Sequence, residues 1–296
     1  MTRPETAEDP RQNGAKPPFP EQAQDNPASE REMRPRPDYG YDSYRGYGRL
    51  KDRVALITGG DSGIGRAVAL AYAREGADVA IAYAHSDQDA DETLRVIAEA
   101  GRAGLKVRAD LSADAECERA VREVVARFGR IDILVNNAAM QGKSVERFEQ
   151  LSAERVELTF RTNILAMFHL VRHALPHMRA GASVINTTSI QAYKPTANIL
   201  DYAATKGAIV TFTKGLSEEL LARGIRVNAV APGPVWTPLV VQSFTAEQNA
   251  KFGQNSPLGR PAQPAELAPS YVFLASDEAS YVSGEILGVT GGKPLA

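Results

Sequence analysis

Val54-Ala-Leu-Ile-Thr-Gly-Gly-Asp-Ser-Gly-Ile-Gly65 is the stretch that decides the fold. Aliphatic and β-branched residues run straight into glycines, and Arg66 to Glu75 continues with Ala67, Val68, Leu70, Ala71 and Tyr72 at helical spacing. The unit reads as strand, glycine-rich turn, amphipathic helix. Glycines at 59, 63 and 65 let the backbone approach a pyrophosphate, with N–H groups at a helix N-terminus where the dipole favours negative charge. The spacing is Gly-x-x-x-Gly-x-Gly rather than Gly-x-Gly-x-x-Gly, so its context gives the motif its specificity as a dinucleotide cradle.

Outward from this unit, further apolar runs predict strands at 79–82, 106–109, 131–136, 183–188, 226–231 and 285–289, most of them separated by helical stretches. Strands alternating with helices imply right-handed crossovers and a parallel sheet covered on both faces. The expected fold is α/β: one Rossmann-like, doubly wound domain over residues 50–296, with a seven-stranded parallel sheet flanked by helices on both faces. Ligands of such sheets gather beyond the carboxyl ends of the strands. Residues 1–49 differ in kind, holding eight of the eighteen prolines and almost no aliphatic periodicity. They read as an arm, either a disordered tail or an extended strap held by Tyr39, Tyr41, Tyr44 and Tyr47.

At the end of another strand lies candidate chemistry. Tyr202 and Lys206 stand four residues apart in Asp201-Tyr-Ala-Ala-Thr-Lys206, hence on one helix face, and Ser189 follows the apolar run 182–188. A free phenol titrates near ~10, and an adjacent ammonium favours its ionised form, which would make the pair a usable general acid–base. A serine hydroxyl beside it could steady charge developing on a substrate oxygen. Taken alone, Tyr-x-x-x-Lys is common by chance.

Taken together, these motifs resemble the short-chain dehydrogenase/reductase family, in the family's order, from about Leu50 to Ala296. Thr58-Gly-Gly-Asp-Ser-Gly-Ile-Gly65 is similar to its cofactor loop, Ala109-Asp110-Leu111 to its adenine contact, Asn136-Asn-Ala-Ala139 to its strand-end motif and Pro232-Gly233 to its nicotinamide-side turn. The resemblance implies that Asn163 holds a water of the proton relay, Ser189 polarises the substrate oxygen, Tyr202 exchanges its proton, and Lys206 binds ribose and tunes Tyr202. It implies cofactor contacts from Gly59, Asp61, Ser62, Gly63, Ile64, Gly65, Tyr83, His85, Ser86, Asp110, Leu111, Asn137, Ala138, Ala139, Tyr202, Lys206, Pro232, Gly233, Val235 and Thr237. Position 139 is Ala where the family pattern usually has Gly. The arm and the loops after Thr58, Thr188 and Ala231 are similar to a branch of glucose-and-ribitol-dehydrogenase-like and general-stress oxidoreductases that includes NADPH-dependent aldehyde reductases. That branch implies a homotetramer.

A carboxylate at the end of the second strand would grip the ribose 2′-OH of NAD and repel a 2′-phosphate, and position 83 is Tyr. NADP(H) is therefore favoured over NAD(H), with Ser62, His85 and Ser86 as donors to the phosphate and Asp61 opposing it. Gln191, Tyr193, Trp236 and residues 238–252 are the expected substrate wall, Gln191 offering a polar contact and Trp236 an apolar face. Residues 238–260 resemble a mobile lid.

Three readings stay open: an NADPH-dependent aldehyde or ketone reductase, an NAD(P)-dependent sugar or polyol dehydrogenase, and a non-catalytic dinucleotide-binding protein. A net charge of −2 gives no basic footprint for nucleic acid, and no stretch approaches the ~20 apolar residues of a membrane helix. The opening residues 1–10 hold no apolar leader-like run and Cys117 is the lone cysteine, which makes the cytoplasm the expected setting. His169, His173 and His177 recur every four residues on an expected helix 153–178, but with no cysteine or carboxylate in the stripe no metal is expected.

Overall fold

A computed structural model describes residues 9–295. The expectation of an extended or disordered chain over residues 1–8 lies outside the described residues, as does most of the opening segment 1–10. Seven strands form one wholly parallel sheet: β1 (Val54–Thr58), β2 (Asp78–Tyr83), β3 (Gly104–Arg108), β4 (Ile133–Asn136), β5 (Ser183–Thr187), β6 (Arg226–Pro232) and β7 (Ile286–Val289). Their order is β3-β2-β1-β4-β5-β6-β7, which reverses direction between β1 and β4 and opens a crevice beyond their carboxyl ends.

Alternation along each strand sorts the core into two layers. Ala55 and Ile57 of β1, with Val79 and Ile81 of β2, pack beneath α1 (Gly63–Arg74), α2 (Asp87–Glu99) and α9 (Pro264–Ala275). Val54 and Leu56, with Ala80 and Ala82, face α3 (Asp114–Phe128), α5 (Ala166–Ala174) and α6 (Leu200–Leu221). Because both faces are covered, β1 is buried at every position.

The expected single helix over 153–178 is interrupted. α4 (Ala153–Phe160) passes into one π-helical turn, Arg161–Leu165, before α5, and Pro176 lies in a 3-10 turn after it. A π turn inserts one residue into the ladder and re-aims the side chains around it. Asn163 sits in that turn and is fully buried. The histidine stripe also differs from expectation, since a carboxylate does join it. Asp114 of α3 lies 3.2 Å from His169 Nδ1 and 2.9 Å from His173 Nε2, and also pairs with Arg172 at 2.6 Å.

The arm packs closely. Phe19 stacks on Trp236 with ring centroids 4.3 Å apart, and Met33 is fully buried in the same cluster with Val240 and Val241. Main-chain bonds join Phe19 N–H to the Ala250 carbonyl at 2.8 Å and Gln24 N–H to the Val241 carbonyl at 3.1 Å. Arg260 Nη2 holds the Pro10 carbonyl at 2.7 Å. Nearer the domain, Tyr44 Oη and Arg49 converge on the buried Glu75 at 2.6 Å each. Removing residues 1–40 would strip Trp236 of its stack and leave the buried Arg66 short of a carboxylate, a loss of about 3–5 kcal/mol for the latter alone. The melting temperature of such a variant should fall by roughly 10 °C. Calorimetry of the truncated and full chains checks this, and equal melting would refute the packing role.

Candidate active site

The glycine loop is built by steric necessity. A Cβ on Gly65 would lie 1.9 Å from the Gly59 carbonyl oxygen, so only glycine lets the start of α1 press onto the end of β1. Gly63 has φ +50°, in the left-handed region, and a Cβ there would crowd Thr237 Cγ2 at 3.1 Å. Asn137 fixes the loop from the other side, its Nδ2 donating to the carbonyls of Thr58 at 3.0 Å and Gly59 at 3.2 Å. Thr58 Oγ1 in turn accepts the N–H groups of Asn137 and Ala138, both at 2.9 Å.

Beyond the strand ends runs a cleft of about 680 Å³. One end is lined by Asp61, Ser62, Tyr83, His85, Ser86, Asp110 and Leu111, the middle by Gly59, Gly63, Ile64, Asn137, Ala138 and Ala139, and the far end by Ser189, Tyr202, Lys206, Pro232, Gly233, Val235 and Thr237. Among the predicted cofactor contacts, Gly65 alone is not part of the lining, and its role is the close approach to Gly59. The lining chemistry fits a dinucleotide: a glycine- and alanine-rich cradle in the middle, polar groups at one end and the candidate acid–base group at the other.

At that far end Tyr202 and Lys206 project from α6 toward the end of β5. Lys206 Nζ donates to the Thr187 carbonyl at 2.8 Å and lies 5.2 Å from the centroid of the Tyr202 ring. Burial pushes the Tyr202 phenol up to about 12, with the Ser189 hydroxyl pulling the other way. Burial also drives the Lys206 ammonium down to about 7. The expectation that Lys206 lowers the phenol is therefore not met by the protein's own groups. Burial favours the neutral form of each group. Ser189 Oγ accepts the Gln191 N–H at 3.1 Å, which leaves its own O–H free to donate.

Several other expected contacts are committed elsewhere. Trp236 is fully buried and turns away from the cleft, pressed by Phe19 and donating Nε1–H to the Pro35 carbonyl at 2.8 Å. It is a floor for the arm rather than a substrate contact. Gln191 lines the cleft, but its amide is tied to Thr196 at 2.7 and 2.8 Å. Tyr193 packs against Ala229, Ala231 and Ile286 instead. Ser86 caps α2, donating to Asp89 Oδ2 at 2.7 Å, and the Tyr83 hydroxyl bonds Asp87, so neither hydroxyl is free for a phosphate. Asn163 spends its side chain on Met140, accepting its N–H at 2.7 Å and donating to its carbonyl at 2.9 Å, and on Thr205 at 3.1 Å. Its amide shapes the chain beside the cleft. Asp61 is pushed up to about 6, mostly by burial and further by Asp89. The segment expected as a lid forms α7 (Pro238–Ser243) and α8 (Ala246–Ala250), both held by the arm.

Sequence reasoning missed two contributions. Asn26, Pro27 and Ala28 of the arm line the cleft, and Glu30 reaches the glycine loop. One glutamate among several in a proline-rich segment carries no periodic signal, so only the fold brings Glu30 to Arg66. No helix among the described residues is long and apolar enough to cross a membrane.

The family model described as enoyl-(acyl carrier protein) reductase matches residues 59–293. A glucose and ribitol dehydrogenase of Daucus carota is 51% identical over 281 residues, covering 93% of this chain and 96% of that one. An NADPH-dependent aldehyde reductase 1, chloroplastic, of Arabidopsis thaliana is 50% identical over 273 residues, covering 90% and 94%. Among solved structures, a short-chain dehydrogenase of Burkholderia cenocepacia in complex with NADP superposes with a TM-score of 0.75 at 31% identity, over 82% of this chain and 98% of that one. An NADH-dependent reductase A1-R′ complexed with NAD gives 0.73 at 32% identity, over 83% and 98%. The chain belongs to the short-chain dehydrogenase/reductase family and is an oxidoreductase.

The site predicts two measurable outcomes. Gly65→Ala forces a methyl into the Gly59 carbonyl and should abolish nucleotide binding or folding, as read by fluorescence titration and circular dichroism; normal binding would refute the close approach. Lys206 titrates near 7 when folded and near 10.5 when unfolded, so between those values the unfolded chain holds more protons and stability rises with pH. Lys206→Met should remove up to about 1.4 kcal/mol per pH unit of that slope in urea unfolding between pH 7 and 9. An identical slope in the variant would contradict the buried, depressed lysine.

Proposed function

We propose that this short-chain dehydrogenase/reductase is an NADPH-dependent reductase of small aldehydes or ketones. The observation that carries the reading is the Tyr202 phenol held in the cleft wall, with Ser189 and Lys206 beside it, beyond the strand ends and opposite the glycine cradle. A nicotinamide cofactor, when bound, supplies the hydride. The loop 59–65 would hold its pyrophosphate, Asp110 and Leu111 its adenine, residues 137–139 and 232–237 its nicotinamide half and Lys206 the adjoining ribose.

Ser189 Oγ–H donates to the substrate oxygen and orients it. Tyr202, protonated across the neutral range because burial raises it, gives its proton to that oxygen as negative charge develops there. Lys206, with one donor spent on the Thr187 carbonyl, keeps a further N–H for the ribose even as the neutral amine, and a third for the phenol when protonated. Burial removes bulk water that would compete for both.

The choice of NADP rests on the missing carboxylate at position 83, on His85 facing the cleft, and on the NADPH dependence in the name of the Arabidopsis relative. A second reading is favoured by the name of the carrot relative, a glucose and ribitol dehydrogenase: oxidation of a sugar or polyol by the same residues, with Tyr202 accepting the proton. The intact set of Asn163, Ser189, Tyr202 and Lys206 speaks against a non-catalytic binder. Exposed Leu158, Leu165, Phe168 and Leu221, on and between α4 and α6, suit burial in a homotetramer, and the lone buried Cys117 suits the cytoplasm.

Tyr202→Phe should keep the fold and the affinity for NADPH while lowering turnover by at least about 10²–10⁴-fold, whereas Lys206→Ala should lose both. Titration of nucleotide fluorescence, followed by oxidation of the bound nucleotide against aldehydes, ketones and sugars, separates these outcomes. Turnover surviving in Tyr202→Phe would overturn the mechanism, and preference for NADH with sugars would select the second reading.

A further inference from the structure

The arm crosses the cleft between two anchors. On one side Gln24 N–H bonds the Val241 carbonyl at 3.1 Å and Ala28 N–H bonds Gln242 Oε1 at 3.0 Å. On the other, the side chain of Glu30 is buried completely against the glycine loop. Its Oε2 accepts the Gly63 N–H at 2.6 Å, and its Oε1 pairs with Arg66 Nη1. Arg66 Nη2 and Nε hold the Asp61 carbonyl at 2.6 and 3.1 Å. A single arm carboxylate thus fixes both flanks of Ser62, Gly63 directly and Asp61 through Arg66.

We propose that Glu30 is a positioning residue for the cofactor: by fastening residues 61–63 it presets the loop for the dinucleotide. The inference rests on the proposed use of the cleft for a nicotinamide nucleotide. Gly63 opens α1 with φ +50°, and its N–H is one of the donors a helix start leaves without a helical partner. Glu30 satisfies it, so the loop is ordered before a ligand arrives and binding need not supply the ordering entropy. A carboxylate near an anion also repels it, but positioning outweighs this. Arg66 meets Glu30 at contact and absorbs its charge, Asp89 at 3.0 Å and Glu92 at 3.9 Å still face the guanidinium when Glu30 is removed, and the Ser62 side chain does not cap the helix start in its place.

The experiment compares Glu30→Ala and Glu30→Gln with Phe19→Ala, which loosens the arm at its other end without touching the loop. Kd for NADPH is measured by fluorescence titration alongside melting temperature, then KM for NADPH and kcat with the best carbonyl substrate. Glu30→Ala should raise Kd and KM for NADPH about tenfold, the equivalent of one charge-assisted hydrogen bond, and leave kcat and the carbonyl KM within about twofold. Glu30→Gln, isosteric and able to keep one of the two contacts, should fold even where Glu30→Ala does not, and should show an intermediate rise. Phe19→Ala should lose melting temperature with Kd unchanged. Unchanged or tighter NADPH binding in both Glu30 variants, or an equal rise in Phe19→Ala, would overturn the inference alone. A wild-type chain that binds no nicotinamide nucleotide would overturn the proposed function and this inference together.

Discussion

A guanidinium with no solvent exposure sits at the root of the glycine loop, and much of the architecture around the cleft answers its demand for partners. Burying an unpaired charge costs several kcal/mol, so Arg66 must be surrounded by acceptors. Those acceptors come from three places in the chain: Glu30 from the arm, Asp89 from α2, and the Asp61 carbonyl from the loop itself. Tyr39 adds its ring face 5.4 Å from the guanidinium. The arm, α2 and the loop are thereby tied to α1 at one point. Such a pair adds little net stability over an apolar replacement, but it specifies one arrangement strongly, since any displacement strands a charge.

This also explains what could be read from the sequence and what could not. The sheet was legible because each strand is a short apolar run with a glycine, proline or polar break after it, and alternation sends neighbours such as Ala55 and Leu56 to opposite layers. The glycine loop was legible because its shape is sterically written: Gly65 has no alternative beside the Gly59 carbonyl. Tyr202, Lys206 and Ser189 follow from helix spacing and a strand end, both local properties. Trp236, Gln191 and Ser86 were not legible, since each is a polar or aromatic group whose allegiance is decided by a distant or neighbouring partner. Phe19 and Pro35 claim Trp236 across more than two hundred positions of sequence, Thr196 claims Gln191, and Asp89 claims Ser86. Composition separated the arm from the domain but could not show that Phe19, Glu30 and Met33 anchor it, because three residues in thirty make no period.

Burial sets the chemistry at the other end of the cleft as well. A tyrosine and a lysine one helical turn apart invite the view that the ammonium simply ionises the phenol. With both groups inside the wall, desolvation acts on each and favours the neutral forms, phenol and amine. A phenol kept protonated is the state required to donate to a carbonyl oxygen, whereas alcohol oxidation requires its conjugate base. In the proposed reductase, the protein's own groups hold Tyr202 in the proton-donating form, and charge brought into the cleft would shift that balance. The same environment that makes Tyr202 a reluctant phenolate makes any hydrogen bond it gives to a developing oxyanion strong, because little water competes for it.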